Sequence, residues 1–389
     1  MKIISFSLDK ATLIDTLCFT REVSTSPEKE IDVFKKKPKT SVGLDIGNYS
    51  SKLVQLEHGP EGYTLLSYGV YDQPSNSIIE GQIKNREAVV AGIKNLIQRC
   101  DPHIKDVIIS ISGKGVITDR ITLQQRKGVK TSQLVRFEAE QRCPFDVEDV
   151  TLDYKIVKFD EKSERLDVLL VAAKNDLLYD LLSVVYEAEL KPIVVDVDAF
   201  ALYNAWEINY RQQKKEGEQE GGEGENLALV NIGAETTNVV FIHEGSYHST
   251  RDLSVAGNSF VKTAQRQMGV DQKLIHQALR GEMDPKVDHN TFMFAVNKSS
   301  ELLSKELELA FSYFTSDAKV ERIDRILLSG GCALIPWLPG FLEKRHHVTV
   351  EKFNPVRTLS CSPELQQNGF QEMAPSLAVC IGLALRQAE

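Results

Sequence analysis

Val42-Gly-Leu-Asp-Ile-Gly-Asn-Tyr-Ser-Ser-Lys-Leu-Val-Gln-Leu-Glu57 is an apolar strand that ends in a small polar turn and resumes as a second strand. Val42 and Leu44 alternate with smaller neighbours, Gly47-Asn48 supplies a tight reversal, and Lys52 to Glu57 alternates again, which is the pattern of a β-hairpin. Such a turn offers backbone N–H groups, the Ser50 and Ser51 hydroxyls and the Lys52 ammonium to one anion, with Asp45 placed to hold a hydrated cation. Alone, the pattern is more often plain sheet than a binding site.

A second stretch agrees with it. Asn226-Leu-Ala-Leu-Val-Asn-Ile-Gly-Ala-Glu-Thr-Thr-Asn-Val-Val-Phe-Ile242 repeats the order of apolar strand, polar residue, glycine, hydroxyl-rich turn and apolar strand. Two such hairpins imply two similar subdomains facing one ligand. Arg325-Ile-Leu-Leu-Ser-Gly-Gly-Cys-Ala-Leu-Ile-Pro-Trp-Leu338 adds a buried-type strand that runs through Gly330-Gly331 into a helix start. Main chain without side chains there lets a flat base or a ribose pack closely.

These motifs resemble the actin, Hsp70 and sugar-kinase superfamily of ATP-binding proteins. Asp45-x-Gly47-x-x-x-x-Lys52 is similar to its first phosphate loop, Asn231-Ile-Gly233-Ala-Glu-Thr236-Thr237 to its second, and Leu328-Ser-Gly330-Gly331 to its adenosine motif. Between them, Val194-Val-Asp-Val-Asp198-Ala-Phe-Ala-Leu-Tyr203 sits where that group has its first connecting helix. The fold expected is α/β: an actin-like bilobed molecule of two ribonuclease-H-like domains with a small FtsA-type α+β insert. Within the superfamily, Phe137 to Tyr154, Val168 to Lys174, Leu190 to Leu202 and the closing Ala374 to Arg386 are similar to PilM, the actin-like family of type IV pilus assembly.

The resemblance implies ATP in a cleft between two halves, with Mg²⁺. It assigns the phosphates to Gly47, Asn48, Ser50, Ser51 and Lys52 on one side and to Gly233, Thr236 and Thr237 on the other. It assigns the Mg²⁺ water shell to Asp45, the adenosine to Gly330 and Gly331, the ribose to Glu306 on the helix Ser304 to Tyr313, and the placement of an attacking water to Asp198. The superfamily has Asp where this chain has Asn231; a neutral amide orders a water but is a poor base, so slow turnover at most is expected. The partner implied is the cytoplasmic tail of a PilN-like inner-membrane protein, with other pilus platform proteins and assembly ATPases as further neighbours and a homo-oligomer or ring as an assembly state.

Composition sets bounds. The chain has 389 residues, 42% of them hydrophobic, enough for substantial cores. A formal net charge of −9 argues against nucleic acid as a general partner. The six cysteines, Cys18, Cys100, Cys143, Cys332, Cys361 and Cys380, include no C-x-x-C pair and read as reduced thiols. No stretch approaches the roughly 18 apolar residues of a membrane span, and the N-terminus lacks the order of a signal peptide. A cytoplasmic protein, peripheral at the inner membrane through its partners, is the expectation.

The order along the chain is read from breaks in the pattern: an extension and linker over 1–40, the first half of an actin-like domain over 41–116, an α+β insert over 117–190 built as strand, helix, two strands and helix, and a connecting helix over 191–210. An acidic loop follows over 211–225, then a second domain over 226–372 and a C-terminal helix over 373–389 that returns to the first domain. Two other classes share the fold, an FtsA-like division filament and a small-molecule kinase. The first is expected to end in an amphipathic membrane helix and the second to carry an acceptor-side catalytic Asp; neither pattern is read here.

Overall fold

The computed structural model describes residues 39–386 except 61, 127, 212–223, 362–364 and 366–368. The extension over 1–38 and most of the acidic loop therefore lie outside the described residues. The alternating run from Lys39 folds as β1 (Lys39–Ile46), β2 (Ser50–Gly59) and β3 (Gly62–Asp72), an antiparallel meander. A short β4 (Ile78–Ile79) and β5 (Gln82–Ile83) hairpin leads into α1 (Arg86–Cys100), where the Asn85 side chain caps the Ala88 N–H. β6 (Asp106–Ile111) then returns parallel to β1.

A small lobe interrupts this half. It comprises β7 (Val116–Gln124), α2 (Thr131–Arg142), β8 (Val150–Asp160) and β9 (Arg165–Lys174), with β9 central in a three-stranded sheet. Ile121, Leu123, Val135, Ala139, Val168 and Leu170 give it a core of its own. The next helix, α3 (Asn175–Glu187), was expected to close this insert. Its Leu178, Leu181, Leu182 and Val185 recur at helical spacing and join the large core instead, so it belongs with the first sheet. β10 (Lys191–Val197), parallel to β6, and α4 (Asp198–Trp206) complete the half.

The second half repeats the order: β11 (Leu227–Ile232), β12 (Thr237–His243) and β13 (Ser246–Leu253), then α5 (Gly257–Met268), α6 (Gln272–Leu279) and the long α7 (His289–Ala318). β14 (Arg325–Ser329), α8 (Leu338–His346) and β15 (Thr349–Lys352) follow. The sheets run β10-β6-β1-β2-β3 and β13-β12-β11-β14-β15. Each is a three-strand meander with two parallel strands added beyond its first strand, the ribonuclease-H-like order twice over, as the actin-like reading requires.

The chain crosses back earlier than residue 373. β16 (Ser360–Cys361) already pairs with β3 at the far edge of the first sheet, and Phe353, Val356 and Leu359 enter the first core. α9 (Ala378–Ala384) then packs on α4 and β1. It is pinned by an ion pair between Arg386 and Asp196, both removed from solvent.

Candidate functional site

The two hairpins close in the same way. Gly47 N–H donates to the Ser50 carbonyl at 3.2 Å, and Gly233 N–H donates to the Thr236 carbonyl at 3.1 Å. Counting back from each turn, strand register sets Asp45 opposite Lys52 in the first hairpin and Asn231 opposite Asn238 in the second. The first pair is ionic, with Lys52 Nζ 2.9 Å from Asp45 Oδ2 and both side chains about 15% exposed. Burial pushes Lys52 down, but the charge and hydrogen bond of Asp45 outweigh it and hold the ammonium above its ordinary range.

The second pair is neutral and tied inward. Asn231 Nδ2 donates to Asn238 Oδ1 at 3.4 Å, the Ser329 hydroxyl donates to Asn231 Oδ1 at 3.3 Å, and Asn238 Nδ2 donates to Asp252 Oδ1 at 2.7 Å. Between the hairpins lies a cleft with about 1330 Å³ of empty space, part of it open to solvent. Asp45, Gly47, Asn48, Ser50, Lys52 and Asp198 line it from the first half, and Gly233, Thr236, Gly330 and Gly331 from the second.

Asp198 opens α4. Burial and the nearby Asp45 push its carboxyl up to about 6, against hydrogen bonds from the Ser110 and Ser112 hydroxyls. Gly330 follows β14 with φ of 84°, and a Cβ there would come within 2.8 Å of Asn231 Oδ1 and closer still to the Ile232 carbonyl. Gly331 faces open space. The glycine pair is thus one residue that the fold requires and one that leaves room for a ligand.

Three expected contacts fall elsewhere. Ser51 is fully buried and accepts from Gln73 Nε2 at 2.7 Å, because β2 begins at Ser50 and consecutive side chains take opposite faces. Thr237 is its counterpart at the start of β12, buried and donating to the Val255 carbonyl at 2.8 Å. Glu306 does not line the cleft. Its carboxylate accepts from Ser254 N–H (3.0 Å), Ser254 Oγ (2.9 Å) and Val255 N–H (3.1 Å), holding the turn that leads into α5.

The cleft also holds residues that the sequence reading passed over: Tyr49, Asp72, Glu235, Asn258, His276 and Arg280. Several tie the walls together. Asn48 donates to the Glu235 carboxylate, which also accepts from Glu80 N–H at 2.5 Å, and the Tyr49 and His276 rings stand 4.8 Å apart. Asn48, Tyr49 and Glu235 sit inside the motifs, and nothing in their spacing shows which residues they meet across the cleft.

The arrangement suits a polyanion bound to one wall more strongly than to the other. Lys52 and the turn of the first hairpin offer positive charge and N–H groups, the second hairpin offers neutral ones, and Gly330-Gly331 leaves a flat surface beside them. No three metal-ligating side chains converge among the described residues, so a hydrated magnesium ion near Asp45 and Asp198 would be held largely through water and phosphate oxygens.

Over residues 43–388 the chain matches the family described as type IV pilus assembly protein PilM. It belongs to the PilM family. That membership places it in type IV pilus assembly. Among solved structures it is similar to the one described as the PilM-PilN type IV pilus biogenesis complex, with a TM-score of 0.78 at 24% identity over 90% of this chain and 98% of the other. The ethanolamine utilization protein EutJ from Carboxydothermus hydrogenoformans shares the fold at a TM-score of 0.53 and 13% identity, over 90% of each chain. No helix among the described residues is long and apolar enough to cross a membrane.

Proposed function

We propose that this PilM-family chain is an ATP-binding scaffold of the pilus assembly platform, held at the cytoplasmic face of the inner membrane by the cytoplasmic tail of a PilN-like protein. The observation that carries the nucleotide half is the pair of matched glycine hairpins facing one cleft, with the Lys52 ammonium on one wall. Gly47, Asn48, Ser50 and Lys52 would grip phosphates from one side, Gly233 and Thr236 from the other, and Gly330 with Gly331 would back the adenosine. Mg²⁺ supplies charge neutralisation to the phosphates, and Asp45 with Asp198 would orient its waters.

Hydrolysis is the weaker side of this design. Asn231 brings no charge to the second hairpin and its amide is engaged by Asn238 and Ser329. Asp198 is already held by two serine hydroxyls. ATP on this reading sets the angle between the halves more than it is consumed.

The partner half rests on family membership and on the likeness to a PilM-PilN complex. An extended tail would lie in the groove between the first half and the small lobe, by backbone pairing and a few apolar pockets. Titration calorimetry of a synthetic PilN cytoplasmic-tail peptide from the same pilus system, with the full chain, is the test. One-to-one binding that strengthens or weakens with Mg-ATP is expected; no binding in either nucleotide state would overturn the partner assignment.

A further inference from the structure

One row of polar side chains crosses the second sheet at a single level. Register pairs Ser329 of β14 with Asn231 of β11, Asn231 with Asn238 of β12, and Asn238 with Asp252 of β13, the edge strand. Every hydrogen bond in the row is donated toward Asp252. The Ser329 hydroxyl gives to Asn231 Oδ1 at 3.3 Å, Asn231 Nδ2 to Asn238 Oδ1 at 3.4 Å, and Asn238 Nδ2 to Asp252 Oδ1 at 2.7 Å.

The direction has a cause. An ionised carboxylate only accepts, so Asn238 must turn its NH2 to Asp252 and its Oδ1 to Asn231, which in turn presents its own NH2 to Asn238. The bond to the carboxylate is the shortest of the three, as charge-assisted bonds are. Burial raises the Asp252 carboxyl above its ordinary range, and the Asn238 bond, which favours the ionised form, opposes it. Asn231 and Asn238 line the nucleotide cleft and Asp252 does not. It lines a separate cavity with about 610 Å³ of empty space, part of it open to solvent, together with Ser112, Gly113, Thr118 and Arg251. Asn238 borders both cavities, so the carboxylate holds it from outside the cleft.

We infer that Asp252 is a positioning residue of the second phosphate hairpin: by accepting only, it holds Asn238, and through it Asn231, with N–H groups available to nucleotide phosphates. The inference rests on the reading of the cleft as an ATP site. Each primary amide carries two N–H groups, of which one is spent in the row and the other has no partner among the described residues. An acid at position 231 would turn oxygens toward the phosphates; amides fixed from behind turn donors toward them. The negative charge that fixes them sits one strand, about 4.8 Å, further from the ligand than Asn238. The row thus converts a carboxylate outside the cleft into neutral donors inside it.

Calorimetric titration of Mg-ATP into the full chain, repeated with adenosine as competitor, tests this in the wild type, Asp252→Ala and Asp252→Asn, with melting curves to confirm that the variants fold. Asp252→Ala removes the acceptor and should weaken Mg-ATP at least about fivefold. Asp252→Asn keeps an acceptor oxygen beside a donor and should fall between the two. Adenosine brings no phosphate and should compete with the same inhibition constant in all three proteins. Three results would overturn the inference: Mg-ATP affinity unchanged in Asp252→Ala, affinity strengthened there, as simple removal of a negative charge near an anion would give, or adenosine weakened in parallel with ATP, which marks a general distortion of the cleft. A wild-type chain that binds no Mg-ATP would overturn the ATP reading itself, and the inference with it.

Discussion

The two glycine hairpins share a backbone and differ in what stands two residues before and five residues after the glycine. Asp45 and Lys52 make an ion pair in the first; Asn231 and Asn238 make an amide pair in the second. The comparison teaches that the fold needs only a cross-strand polar pair at this place, and that charge is a separate choice. On the first wall the charge is kept, at the cost of desolvating both groups. On the second it is absent, and the amides pass their hydrogen bonds on to Asp252 and Ser329. The two turns therefore share their backbone hydrogen bond and strand register and differ in charge.

Substitutions at the shared and the differing positions should break this comparison in graded steps. Gly330→Ala adds a Cβ against Asn231 and the Ile232 carbonyl at a φ of 84°, and should destabilise by about 4 kcal/mol in thermal or denaturant unfolding. Gly331→Ala, with open space ahead of it, should leave folding unchanged and weaken nucleotide binding alone. Lys52→Ala strands the Asp45 carboxylate and should cost about 3 kcal/mol, whereas Asn238→Ala should cost about 1.5 kcal/mol. Equal losses at the two positions would show that the ionic pair has no special weight.

Smaller effects sharpen the same picture. Thr237→Val should lower stability by about 1 kcal/mol without touching nucleotide affinity, and its neighbour Thr236→Val should do the reverse. The smallest effect is expected from pH. Burial, with the Arg280 charge adding and Asp72 opposing, holds His276 below its ordinary 6.5. The unfolded chain then takes up a proton first as pH falls, so the contribution of the neutral ring is present above about 6.5 and lost below it. Melting temperatures at about pH 7.5 and 5.5 should fall further in the wild type than in His276→Gln.

Much of this was legible in the sequence because strands and turns are local. Alternation and turn glycines located both hairpins, their likeness implied paired domains, and the helix read over Ser304 to Tyr313 falls within α7. Ser51 and Thr237 were misplaced for a reason the sequence already held: with the turn ending at Ser50, the two-residue period sends Ser50 and Lys52 to the cleft and Ser51 away from it. Counting the same way from Gly233 would have found Asn238. His276, Arg280 and the Asn48–Glu235 contact are of another kind, since they depend on how two halves nearly two hundred residues apart are set against each other. Glu306 shows the same limit, because a helix acid at the right depth can serve a backbone turn as well as a ligand.

The most direct test of a nucleotide clamp charged on one wall is calorimetric titration of Mg-ATP into the full chain, beside the Asp45→Asn/Lys52→Met double variant. Replacing both partners avoids a stranded buried charge, so this variant should stay folded. The account predicts one ATP per wild-type chain and an affinity at least about tenfold weaker in the double variant. Absence of binding by the wild-type chain, or equal affinity in the two proteins, would contradict it.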